Sequence, residues 1–241
     1  MTGMWRGASN EETGPVSAEK PLRLTLAEIT GRVSSLVPPE KLEPPERAID
    51  DLRASGITER ILRVGATAPD FELVDQRGQV VRSADLLVRG PLIVVFFRGR
   101  WCPYCVATLE AWQARLPQVQ AAGASLVAIS PQKPLHTSFT AEQHKLTFPV
   151  LSDTGNAVAR QFGLAYRVPD YLERHYRGIF INLPNSNGDP SWELPLAATF
   201  VIAGKDAGEV ARVRTVRFAY ASPDFKDRAE PADVLRAAGQ S

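Results

Sequence analysis

Cysteine and histidine are scarce in this chain. Two cysteines and three histidines occur in 241 residues. A structural zinc site takes about four ligands, and His136, His144 and His175 fall into no metal-ligand spacing, so no metal site is expected. Two thiols cannot build a disulfide scaffold, and a chain of this length does not need one to hold a core. Neither sign of charge is in excess: 28 Lys and Arg stand against 27 Asp and Glu, a formal net charge of +1. No strong field draws the chain to nucleic acid or to an anionic membrane. Long apolar runs are also missing. The longest, around Leu92 to Phe97, has the length of a strand, not of a membrane span. The first twenty residues carry acidic side chains and no apolar centre, unlike a secretory signal. These absences predict a soluble, cytoplasmic chain with no membrane or nucleic-acid partner.

What is present is a pairing. Both cysteines fall in one stretch, FFRGRWCPYC, at positions 102 and 105. Two cysteines placed at random in such a chain would stand three apart roughly one time in a hundred, so the spacing carries information. Four readings compete: a redox pair, half of a metal site, a structural disulfide, and a coincidence of small buried residues. The metal reading lacks ligands. The disulfide would close too short a loop to restrain the unfolded chain much. In a cytoplasmic setting a Cys-x-x-Cys cycles more often than it stays oxidised. The redox pair is the reading that remains, with no metal and no organic cofactor required.

Residues 1–20 are polar and expected to be disordered. Residues 21–62 read as a helical extension: a weakly amphipathic LRLTLAEITGRVSSLV, a proline-bracketed linker PPEKLEPP, and a short helix ERAIDDLRASG closed by Gly56. The extension could pack on the core or bind a second subunit, giving a homo-oligomer. From residue 63 to 241 strand and helix patterns alternate. APDFELVDQRGQVV reads as two strands about a turn at Gln76, Arg77 and Gly78. Ser83 is a candidate N-cap for the short helix SADLL. PLIVVFF, rich in β-branched residues, reads as a strand buried on both faces. After it Cys105, Leu109, Trp112 and Leu116 recur at helical intervals until Pro117, which should kink or end the helix. ASLVAIS and FPVLSD are further strands, with HTSFTAEQHKL and NAVARQFGL as helices. Residues 164–194 read as irregular, PDYLERHY being at most a helical turn and LPNSNGDP a loop. ATFVIA, a GKDAG turn and EVARVRTV read as a hairpin, and EPADVLRAA as a closing helix. The fold class is α/β: a central, mixed, mostly parallel sheet flanked by helices.

The cysteine motif falls at a strand-to-helix junction. Unpaired N–H groups at a helix start favour a thiolate. Pro103 suits the first turn. On this argument Cys102, at the cap, is the exposed nucleophile of lowered pKa. Cys105, one turn in, is the partner that closes the disulfide. Arg98 and Arg100 add positive charge before the motif, either stabilising a thiolate or orienting a peroxide oxygen. Each could equally be a solvated loop residue. Trp101 is expected to shield the pair by packing.

These residues resemble the thioredoxin-fold superfamily. Cys-Pro-Tyr-Cys is the glutaredoxin form of its active-site tetrapeptide. The wider sequence is similar to peroxiredoxins of the alkyl hydroperoxide reductase/thiol-specific antioxidant group. GATAPDFELVDQRGQVV resembles that family's opening and LIVVFFRGRWCPYC its active-site strand and loop. The likeness continues through SLVAIS, FPVLSD, FGLAYRVPDYL, SWELPLAATFVI and AYASPDFKDRAEP, covering roughly residues 65–235. It implies a thiol-dependent peroxidase that reduces hydrogen peroxide or organic hydroperoxides through Cys102 and Cys105. Thioredoxin, glutaredoxin or glutathione would recycle it. In that family the attacking cysteine ends a Thr-x-x-Cys motif, so by position it is Cys105, against the helix-terminus argument for Cys102. Two other positions depart from the family. Arg98 stands where a proline is usual. Ala197 stands where peroxiredoxins carry a peroxide-binding arginine and thioredoxins a cis-proline, which leaves Arg98, Arg100 or Arg167 as substitutes. Two alternatives stay open: a general thiol–disulfide oxidoreductase acting on protein disulfides, and a redox-sensing binding module.

Overall fold

The computed structural model describes residues 20–205 and 213–239. Strand β3 (Leu92–Phe96) is the keel of the molecule, and all five of its residues are buried. Successive side chains in a strand point to opposite faces. Ile93, Val95 and Phe97 feed one core cluster, and Leu92, Val94 and Phe96 feed another. Burying each such side chain is worth roughly 1.5–3 kcal/mol, which explains why the apolar run carries no polar alternation.

On one side β3 pairs in parallel with β4 (Ser125–Ser130), which pairs in parallel with β5 (Val150–Ser152). On the other it meets β8 (Ala198–Lys205) antiparallel, and β8 meets β9 (Val213–Ala221). The hairpin β1 (Glu72–Val74) and β2 (Val80–Arg82) joins β5 through β1. The seven-stranded order is β2-β1-β5-β4-β3-β8-β9. Only β1 and β8 run against the other strands, so the sheet is mixed and mostly one-directional. The turn of the first hairpin is built by Asp75, whose carboxylate accepts the Arg77 and Gln79 N–H groups at 2.8 Å each.

Helices cover both faces. On the first lie α4 (Pro103–Ala114), α10 (Pro231–Gly239) and α1 (Leu22–Leu36), contributing Leu109, Trp112, Val234, Leu22 and Leu26. On the second, α3 (Ser83–Leu87) and α7 (Ala157–Gln161) supply Leu87 and Val158, and Phe96, Phe162 and Phe200 pack ring on ring. Pro117 ends α4 as expected and opens the short α5 (Leu116–Ala121). Helix α6 (Pro134–Gln143) follows β4. No helix among the described residues is long and apolar enough to cross a membrane.

Three local expectations fail. The proline-bracketed stretch is not a linker: it lies within α2 (Pro39–Ala54), with Pro39 at its first turn and Pro44 and Pro45 inside. Each inner proline removes one ladder hydrogen bond; buried Ala48 and Ile49 hold the helix against that loss. Ser83 is not a cap but the first helical residue; its hydroxyl accepts the Phe71 N–H at 3.0 Å. Residues 164–194 are not irregular. They form α8 (Asp170–Gly178), α9 (Leu183–Asn187) and a two-stranded ribbon, β6 (Ala165–Arg167) with β7 (Glu193–Pro195). Only Leu172 and Tyr176 of α8 are buried, one turn apart on a single inward face, and a Glu173–Arg177 pair supports its exposed side. The expected tail before residue 20 and most of the GKDAG turn lie outside the described residues.

Candidate active site

The end of β3 delivers the chain into a tight approach. Gly99 has φ +146°, and a Cβ there would stand 2.6 Å from the Trp101 indole nitrogen. Only glycine accepts both conditions without strain. The side chain of buried Gln132, after β4, accepts the Arg100 N–H at 2.9 Å and fixes the loop. Cys102 then caps α4 in extended geometry, with Pro103 in the first turn. Its carbonyl accepts the N–H groups of Cys105 and Val106 at 3.0 and 3.1 Å. The two cysteines are free thiols on one side of that turn.

The expectation that Cys102 is exposed is overturned. It is 2% exposed and Cys105 1%. The pair is roofed by parts of the chain remote in sequence. Helix α1 lies across α4, and Thr30 Oγ1 meets the Tyr104 hydroxyl at 3.1 Å. The segment after β9 folds back as a strap. Its Phe225 packs edge-on against Tyr104, and its Arg228 Nη2 lies 3.7 Å from Cys105 Sγ. The strap also ties down the extension. Glu230 accepts the Leu22 and Arg23 N–H groups at 3.0 and 2.8 Å, and Lys226 pairs with Glu46 of α2 at 2.6 Å.

Electrostatics separate the two sulfurs. Burial pushes the Cys102 pKa well up, reinforced by its hydrogen bond to Cys105 and that neighbour's charge. Burial acts against the Cys105 thiolate as well. There it is outweighed by the hydrogen bond from Cys102, the charges of Arg228 and Arg98, and a backbone hydrogen bond from Arg98. The Cys105 pKa falls to about 5. The ranking drawn from the helix terminus is therefore reversed: burial opposes both thiolates, and the hydrogen bond between the sulfurs, with the charges of Arg228 and Arg98 and the Arg98 backbone hydrogen bond, favours the charge on Cys105.

Arg98 is brought to the pair and Arg100 is not. Arg98 is 3% exposed, donates to the Tyr176 hydroxyl, and lies 4.8 and 4.6 Å over the Trp101 and Phe225 rings. Burial opposes its charge. Tyr176, Tyr166 and the two cysteines outweigh that, so its pKa rises further above its ordinary value. No carboxylate pairs with it among the described residues, so the cysteine sulfur is its anionic partner. Arg100 points to an outer pocket instead. Arg167 is engaged with Ser191, Asp170 and Glu173, away from the sulfurs. Ala197 is buried and offers no charge. Trp101 packs on Tyr176 at 5.3 Å between ring centroids and against the core cluster that contains both cysteines. Among the described residues no group of three or more His, Cys, Asp or Glu could hold a metal ion. Sequence reasoning missed Arg228, Tyr166, Tyr176 and Gln132. Arg228 lies within the strap stretch AYASPDFKDRAEP, but nothing local in that stretch marks it as a sulfur's neighbour.

The chain is similar to known proteins in sequence and in fold. The AhpC/TSA family model matches residues 64–211. Peroxiredoxin Bcp of Escherichia coli (strain K12) is 31% identical over 119 residues, 49% of this chain and 74% of that protein. Thiol-disulfide oxidoreductase ResA of Geobacillus thermodenitrificans is 33% identical over 102 residues, 42% of this chain and 58% of that one. Among solved structures, peroxidoxin BcpB of Mycobacterium tuberculosis superposes with a TM-score of 0.54 at 24% identity, covering 73% of this chain and 96% of that one. Xanthomonas campestris peroxiredoxin Q gives 0.51 at 18%, covering 74% and 93%.

Proposed function

The chain belongs to the AhpC/TSA family, and from that premise we infer a division of labour between its two cysteines: Cys105 attacks and Cys102 resolves. The protein is a peroxiredoxin-type thiol peroxidase. The observation that carries the assignment is Cys105 Sγ held between Arg228, Arg98 and the Cys102 thiol, with its pKa lowered to about 5.

The Cys105 thiolate attacks the terminal oxygen of a hydroperoxide. The O–O bond breaks, and the leaving oxygen takes a proton and departs as water or alcohol. Cys105 is left as a sulfenic acid. Arg228 and Arg98 bear charge where the leaving oxygen turns negative, the part taken elsewhere in the family by the residue that Ala197 replaces. Cys102 gives up its proton and attacks the sulfenic sulfur. Water leaves and a Cys102–Cys105 disulfide forms. Its raised pKa keeps Cys102 protonated, and so a donor to Cys105, until that step. A dithiol such as thioredoxin or glutaredoxin, or two molecules of glutathione, then restores the pair by exchange and carries away the oxidising equivalents as its own disulfide. A cytoplasmic setting, where thiol pools keep such pairs reduced, suits this cycle.

The resemblance to a thiol-disulfide oxidoreductase supports a second reading, exchange with protein disulfides. Burial of both sulfurs favours the peroxidase reading for the attacking step, since a small hydroperoxide enters a closed site more readily than a protein disulfide does; a protein reductant meets the same barrier at the recycling step. Stopped-flow oxidation by hydrogen peroxide decides between them, using wild type, Cys102→Ser and Cys105→Ser. Oxidation orders of magnitude faster than a free thiol is expected in wild type and Cys102→Ser and is lost in Cys105→Ser. Free-thiol rates in all three would return the exchange reading to the front.

A further inference from the structure

A pocket of about 370 Å³ opens on the far side of Trp101 from the sulfurs, lined among others by Arg100, His136, Phe180, Asn182 and Asn185. Trp101 is its shared wall, packing against the core cluster that holds Cys102 and Cys105. The volume falls within the range of small-molecule sites. No Asp or Glu lines it. Among the described residues the Arg100 guanidinium has no ion pair; the loop holds this residue by its backbone N–H alone. His136 feels the positive charges of both Arg100 and Lys133, and its buried Nδ1 has no hydrogen-bond partner. The pocket is thus cationic, and the side-chain amides of Asn182 and Asn185 belong to its lining. Its rim carries Phe180, 98% exposed and at φ +63°, a conformation that costs a bulky residue strain. An unpaired cation sharing a lining with amides and an exposed ring suits a small peptide-like anion.

We propose that this pocket docks the reductant, and that the reductant is a small peptidic thiol bearing free carboxylates. The inference rests on the thiol-peroxidase reading and settles which class of reductant serves it. Elsewhere the sulfurs are covered by α1, by the strap with Phe225 and Arg228, and by Arg98 with Tyr176, and the cavity that Arg98, Tyr176 and Phe225 line is too narrow for a peptide. A compact thiol anchored through its carboxylate on Arg100 needs only Trp101 to shift. A protein reductant would have to displace helices. The anchored thiolate attacks one sulfur of the Cys102–Cys105 disulfide and gives a mixed disulfide and one protein thiolate. A second thiol molecule attacks the mixed disulfide, releasing the small disulfide and restoring the second protein thiol.

Two measurements test it. The protein is converted to its disulfide with diamide, which needs no peroxide, and then reduced with glutathione or with uncharged 2-mercaptoethanol. The ratio of the two rate constants is expected to fall about tenfold in Arg100→Gln, to recover largely in Arg100→Lys, and to fall with added salt. Separately, S-methylglutathione is titrated into the reduced protein by tryptophan fluorescence. Saturable binding is expected in wild type and weakening of at least tenfold in Arg100→Gln. A ratio that Arg100→Gln leaves unmoved, or the absence of saturable binding, overturns the pocket assignment even if peroxide oxidation is fast. Slow peroxide oxidation with the ratio and the binding as expected overturns the peroxidase reading and leaves the pocket standing.

Discussion

Arg228 and Cys105 are 123 residues apart in sequence and 3.7 Å apart in space, guanidinium nitrogen to sulfur. A cation at that distance in a buried site stabilises the thiolate over the thiol. Arg228→Gln should therefore slow peroxide oxidation at pH 7 by about tenfold or more, the size expected for one charge-assisted hydrogen bond of roughly 1.5–3 kcal/mol. Second-order rate constants from stopped flow check this. Equal rates in variant and wild type would remove Arg228 from the site.

The pH profile follows from the sulfur that attacks. With the Cys105 pKa at about 5, oxidation should be nearly level from pH 6 to 8 and fall as pH drops through about 5. Stability has the same sign. In the unfolded chain the thiol binds its proton up to about pH 8.5. Between the folded and unfolded values the unfolded state binds more protons, so stability rises with pH. It is lost as pH falls through about 5. Urea titrations of wild type against Cys105→Ser between pH 4.5 and 8.5 should show the difference growing with pH.

Arg98 makes a prediction about the oxidised state. It is a buried guanidinium with no carboxylate partner among the described residues, and its anion is the sulfur. Disulfide formation removes that anion and leaves the charge unpaired, which is strongly destabilising in a buried site. Oxidation should lower the melting temperature of wild type by several degrees. In Arg98→Met, where no charge is stranded, the fall should be smaller or reversed. Calorimetry of reduced and oxidised forms of both proteins makes the comparison.

Glu230 should govern the roof rather than the chemistry. Its carboxylate caps the first N–H groups of α1, and losing such a cap costs about 0.5–2 kcal/mol. Glu230→Ala should raise amide exchange across Leu22–Leu36 well above that of β3. Exchange confined to its wild-type rate would show that apolar burial of Leu22 and Leu26 suffices to hold the helix.

Much of this was legible in one dimension. The run LIVVF names a central strand because no solvated strand carries five apolar residues in a row, and the cysteine spacing names the redox pair. Helix α8 was harder to read because its nine residues bury only Leu172 and Tyr176, a single i, i+4 repeat that is too short to fix a period. The roles of the cysteines were illegible for a different reason. A helix-terminus argument prices local dipoles but neither the hydrogen bond between the sulfurs nor the charge of Arg228, which arrives on the strap and which no local pattern joins to residue 105. For the same reason Arg100, adjacent in sequence, drew attention that belonged to Arg228.

The strap has one more consequence, which concerns time. Arg228 is translated long after Cys105, so a growing chain that has made its active-site helix has not yet made the cation beside it. Until the last strand and strap are in place, Cys105 lacks that charge, one of the groups that hold its pKa down in the folded protein. The charge that the strap brings to Cys105 is thus a property of the finished molecule, and the nascent chain passes through most of its synthesis without it.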